Sequence, residues 1–296
     1  MSVSDLDRAA VLPPERLWNS PGFRRFRRHK LAVFGAAAIV ALTLACVIGP
    51  WLLPYTDTYI DIRARFALPF TGPHILGTDP LGRDILARLL MAGRISLAVG
   101  FSAMMIAMAI GICIGLVAGF YEGVVGAALM RFVDAMLCFP SIFLLLAISA
   151  LIQPSVASIV ILIAATSWME VARVVEAQIR ALKTREFAQA AVSFGASHSR
   201  IMFRELLPNA IAPIIVAATL NVAHAILAES YISFLGFGIQ PPTPSWGNML
   251  ESAQSYLTSA PWLAIFPGIT ITLAVTSFNF VGDGLRDALD PRMDLP

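Results

Sequence analysis

From residue 31 to residue 53 the chain carries no charged side chain, and the same holds over 95–120, 156–169 and 261–281. Lipid offers no partners for backbone amides and carbonyls, so an apolar run of this kind spans a bilayer as a helix. About 20 residues, rising 1.5 Å each, cross a hydrocarbon core of about 30 Å. Two more runs, 129–152 and 210–238, are apolar except for Arg131 and Asp134 in the first and His224 and Glu229 in the second. The pattern predicts an all-α integral membrane protein with six transmembrane helices. The fourth run, 156–169, is short unless it continues into the polar helix that follows it. Charge usage agrees: 14% of residues are charged and 57% hydrophobic, whereas soluble domains carry about 25% charged residues.

Orientation follows from the basic residues. With the N-terminus inside, sixteen of the 21 Lys and Arg fall on the cytoplasmic side, as the positive-inside rule requires. The expected organisation is a cytoplasmic N-terminal segment 1–30, a six-span domain 31–281 and a cytoplasmic tail 282–296. Extracytoplasmic segments lie at 54–94 and 239–260, and a cytoplasmic loop at 170–209. The basic run Arg24 to Lys30 abuts a span, which marks a topological anchor rather than a nucleic-acid patch. Bulky Trp51, Leu52 and Leu53 follow the first span where a signal peptide would place small residues, so that span is read as uncleaved.

Local signals fill in the detail. Within 54–94, Thr78 or Asp79 is a candidate helix N-cap, with Pro80 at the first helical position. Gly111, Gly115 and Gly119 recur every fourth residue and open a groove for a neighbouring helix. Arg131 and Asp134 share a helical face and are placed to pair, and Pro140 predicts a kink. Cys46, Cys113 and Cys138 lie in apolar runs without metal or disulfide spacing and are read as packing residues.

Catalytic chemistry has little support. The two lysines, Lys30 and Lys183, do not follow glycine, so no phosphate-binding GK[ST] sequence exists. The histidines are scattered, and neither a catalytic residue nor a metal site is assigned. Ionisable groups inside spans are costly and face a bundle interior or water. Glu229 and His224 are therefore candidates for a translocation path, the alternative for Glu229 being a structural hydrogen bond to another span or a partner subunit.

The remaining feature is the polar, helix-patterned stretch 186–209, EFAQAAVSFGASHSRIMFRELLPN, set between apolar runs. A helix resting on the membrane surface is one reading of it, and a docking element for an energy-supplying partner is the other. Together with LGTDPLGRD at 76–84, SFLGFGIQPPTPSWG at 233–247 and GDGLRDALDP at 282–291, it resembles the permease subunits of bacterial ABC importers for dipeptides, oligopeptides and nickel. The likeness is to the second, or C-type, permease and covers the chain from about residue 20.

The resemblance implies a type I ABC importer permease fold in the bacterial inner membrane, with both termini cytoplasmic. It implies a coupling helix that sits in a cleft of an ATPase subunit, carried here by Glu186, Gln189, Ala190, Ala191, Gly195, Ala196, Ser197, Arg200, Arg204 and Pro208. Gln189 stands where the family motif has glutamate, which leaves the small residues to carry more of the contact. The implied partners are a homologous second permease in a heterodimer, two ATPase subunits, an extracytoplasmic binding protein and membrane lipid, with no nucleic acid. No cofactor is bound by this chain; ATP and Mg belong to the ATPase subunits. Alternating access is the implied mechanism and peptide the implied cargo. Nickel, glutathione or another small solute, and an ion-coupled secondary carrier, are the alternatives.

Overall fold

The computed structural model describes residues 21–289. Residues 1–20 of the N-terminal segment and 290–296 of the tail, including Asp290 and Pro291 of the last motif, lie outside the described residues. Among the described residues the secondary structure is helical, with one isolated bridge between Thr78 and Asp84. A short basic helix, α1 (Pro21–Arg28), leads into α2 (Lys30–Leu52), whose first turn is closed by His29 accepting from the Ala32 amide at 3.1 Å. The other long helices are α3 (Ile85–Phe120), α6 (Val156–Lys183), α8 (Ile211–Phe234) and α10 (Trp262–Leu289). Between α3 and α6 run α4 (Val124–Leu137) and α5 (Ser141–Ser149), bent 76° from each other. Among the described residues there are thus five helices long and apolar enough to cross a membrane, plus one bent pair that makes a sixth span when counted as one.

The 36-residue α3 is the centre of the bundle. Its glycine groove is filled by α6. A Cβ at Gly111 would meet the Val171 side chain at 2.6 Å, one at Gly115 the Val175 side chain at 2.7 Å, and one at Gly119 the Ile179 side chain at 2.9 Å. Backbones this close gain dispersion contacts that no larger residue would allow. Gly111→Leu is therefore expected to cost about 1–3 kcal/mol by overpacking and to lower both membrane abundance and thermal midpoint. Gly268→Leu in α10, where nothing lies within 4 Å of the new Cβ, should leave both near wild type in the same melting assay.

Two sequence expectations are corrected. First, α3 is capped by Asp84, which accepts from the Ala87 amide at 2.8 Å, and not by Thr78 or Asp79. Gly82 adopts φ +78 and lies against the Asp61 backbone, so the chain turns before it can coil. The Asp79 carboxylate is occupied by that turn, accepting from the Leu81 and Arg83 amides at 2.8 and 2.9 Å and from Arg83 Nε at 2.6 Å. Second, Asp134 does not pair with Arg131; it meets Arg173 of α6 across the helix interface. An exposed pair one turn apart on one helix gains only about 0.2–0.5 kcal/mol, so a second helix easily captures the carboxylate. The fourth run does continue into the polar stretch, as one 28-residue helix closed at its start by a capping box between Ser155 and Ser158.

The segment after α8 folds back into the bundle. Helix α9 (Trp246–Ala253) buries Trp246 completely, and its indole Nε1 donates to the Leu89 carbonyl at 3.1 Å. Asn248 holds the preceding loop by donating to the Ile239 and Thr243 carbonyls at 3.0 and 2.9 Å. At the chain's end α10 stays helical through Leu289 and packs along α2, where a Cβ on Gly35 would stand 2.6 Å from the Ser277 carbonyl.

Candidate functional site

The stretch 186–209 forms a compact knot at the end of α6. Helix α7 (Glu186–Ser193) begins with an acidic residue in its first turn, where the exposed amides favour negative charge. It ends on Gly195 at φ +74. The Gly195 amide donates to the Val192 carbonyl at 2.9 Å and the Ala196 amide to the Ala191 carbonyl at 3.1 Å. These two bonds are the paired closure of a Schellman cap, which places glycine at the left-handed position. Ser197 then caps the next turn, accepting from the Arg200 amide at 3.4 Å. A π-helical turn, Ile201–Leu206, carries Ile201, Met202 and Leu206 into the core beside Ala188.

The outward face of this knot differs from its inward face. Ala188 is buried and Ala191 partly so, while Gln189, Ala190, Arg200, Arg204 and Pro208 are exposed. Phe194 is 88% and Val192 61% exposed. Gln189 is spent locally, its Nε2 donating to the Thr184 carbonyl at 3.2 Å. Between the knot and the ends of α3 and α6 lies a cleft of about 450 Å³ bordered by Phe120, Lys183, Ala188 and His198. Lys183 Nζ donates to the Phe120 carbonyl at 2.8 Å and lies 3.6 Å from Glu122. The knot's Ile201, Met202 and Leu206 pack in one apolar cluster with Phe120 of α3 and Val175 and Ile179 of α6.

Glu229 is fully buried. Its two oxygens accept from Ser96 Oγ of α3 and Ser233 Oγ of α8, each at 2.8 Å. Each serine hydroxyl in turn accepts a backbone amide, Ser96 from Trp246 and Ser233 from Ile239, both at 3.2 Å. One carboxyl therefore joins two helices to the loop that precedes α9. Ser96 and Ser233 escape a reading of the sequence because a serine inside an apolar run carries no signal of its partner. His224 is placed apart from this network, on the open side of α8, with Nδ1 3.9 Å from the Glu170 carboxylate.

Comparison with known proteins adds two family matches. Residues 111–295 match the family described as binding-protein-dependent transport system inner membrane component, and residues 20–73 match the N-terminal TM domain of oligopeptide transport permease C. The dipeptide transport system permease protein DppC of Alkalihalophilus pseudofirmus is 40% identical over 95% of this chain and 94% of its own length. The oligopeptide transport system permease protein OppC of Haemophilus influenzae is 37% identical, covering 98% and 93%. The glutathione transport system permease protein GsiD of Pectobacterium atrosepticum is 38% identical, covering 97% and 94%.

Proposed function

We propose, from the fact that this chain belongs to the family of binding-protein-dependent transport system inner membrane components, that it is the C-type permease subunit of an ATP-driven importer of peptides. In this reading the N-terminus and the 186–209 knot face the cytoplasm. A second, homologous permease completes the path, two ATPase subunits dock below and bind ATP and Mg, and a binding protein delivers cargo from outside. The observation that carries the reading is the knot itself. Phe194 and Val192 present apolar surface to the medium on a loop ringed by Arg185, Glu186, Arg200 and Arg204. An apolar centre with a polar rim is the anatomy of a protein interface. It is anchored to α3 and α6, so movement of a docked partner is transmitted to the spans.

Peptide cargo is supported by the names of the relatives above. Glutathione, named for one of them, is itself a tripeptide and falls within the same chemistry. The test is uptake of a labelled dipeptide into vesicles holding the complete complex. Uptake should require ATP and the binding protein and persist after the proton gradient is collapsed. Uptake that needs no ATP and stops with an uncoupler would instead make the protein an ion-coupled carrier.

A further inference from the structure

Two ionisable side chains stand on the outside of the bundle, deep along their helices. Glu170 lies near the middle of the 28-residue α6 and His224 just past the middle of the 24-residue α8. Contact of Gly111 with Val171 places Glu170 well inside the stretch of α3 that is free of charge. Their side chains are 65% and 62% exposed. Arg173, one turn along α6, is half-exposed and paired with Asp134. The exposed face of α2 is different: Leu31, Phe34, Val40 and Leu44 are among its large side chains and suit lipid. Charged groups at mid-depth do not face lipid chains; they face water or another subunit.

Glu229 and Glu170 divide the two ways of keeping an acid inside a membrane. Glu229 is sealed, with both oxygens filled by serine hydroxyls. The Glu170 carboxylate makes no hydrogen bond among the described residues, and the His224 ring stands 3.9 Å away, beyond hydrogen-bond reach. An acid held open and unfilled is suited to a transient ligand. We propose that Glu170, with His224 beside it, lines the water-filled translocation path shared with the second permease and receives the protonated amine of the passing solute. The proposal rests on the reading of the chain as a peptide importer's permease. A peptide's terminal ammonium offers three donors, and a carboxylate binds it through charge-assisted hydrogen bonds.

The experiment uses the complete complex in liposomes, with the exposed Cys113 and Cys138 replaced by serine. His224→Cys should be labelled by a membrane-impermeant thiol reagent, at rates differing roughly tenfold between the nucleotide-free and ATP-bound states as the path opens and closes. Leu44→Cys, on the lipid-facing side, should remain unlabelled. Glu170→Gln should lower uptake of a free-amine dipeptide roughly tenfold, the worth of one charge-assisted hydrogen bond, and Glu170→Asp should recover most of it. A His224→Cys complex unlabelled in both states would place the pair in a permanent subunit contact and overturn the proposal. Wild-type uptake by Glu170→Gln would overturn the amine assignment. Failure of the unmodified complex to import any dipeptide would instead overturn the underlying peptide reading, and the proposal with it.

Discussion

Gly195→Glu is expected to abolish ATP-driven uptake while leaving the chain in the membrane at close to wild-type abundance. Gly195 adopts φ +74 and closes α7 through the amide bonds from Gly195 to Val192 and from Ala196 to Ala191. A residue with a Cβ pays about 1–2 kcal/mol to hold that left-handed conformation, which loosens the cap and re-aims Phe194. No atom lies within 4 Å of the position a Cβ would take, so the carboxylate points outward, into the space a docked ATPase subunit would fill. Both effects fall on a loop at the end of the bundle and not on its core, which is why abundance survives. Asparagine tolerates the left-handed region and is small, so Gly195→Asn should retain most uptake. Vesicle uptake and co-purification of the ATPase subunits read the effect together. Wild-type uptake by Gly195→Glu, with the ATPase subunits still bound, would mean that no partner approaches this face.

What the sequence made legible was set by local physics. Apolar length announced the long helices, because crossing a bilayer leaves no other way to satisfy the backbone. The four-residue glycine spacing announced close packing, and α6 is the helix that fills the groove. Positions decided by tertiary competition were not legible. Asp79, Asp84 and Thr78 all suit an N-cap, and only the turn at Gly82 decides among them. Asp134 has Arg131 near it in sequence but finds Arg173 in space. Buried Glu229 and open Glu170 carry the same carboxyl and both lie in helices; which is sealed depends on whether serines from α3 and α8 converge on it. The 239–260 segment reads only as an extracytoplasmic loop, yet Trp246 is fully buried in the bundle, its indole donating to the Leu89 carbonyl.

Glu229→Ala should be the most destabilising of the substitutions considered, because it unlocks three segments at once. The change removes a fully buried side chain, and truncating a large buried residue typically costs about 2–5 kcal/mol. It also strips the acceptors from the Ser96 and Ser233 hydroxyls, each unpaired buried group adding about 1–3 kcal/mol. Against a typical total of about 5–15 kcal/mol, a loss of this size should sharply reduce the amount of chain in the membrane. The loop before α9 should suffer first, since the Ile239 amide within it and the Trp246 amide at the start of α9 hang on the same two serines, and protease should cut there sooner than in wild type. Glu229→Gln keeps the volume and one carbonyl oxygen, so Ser96 retains an acceptor and the abundance should stay near wild type. Thermal midpoint in detergent, abundance in membranes and uptake per molecule together separate the two roles open to this acid. Stability that falls with Ala and recovers with Gln, at constant uptake per molecule, marks a structural lock. The opposite pattern, wild-type abundance for both variants with uptake per molecule lost in Gln, would put the carboxylate on the path and displace the lock from Glu229.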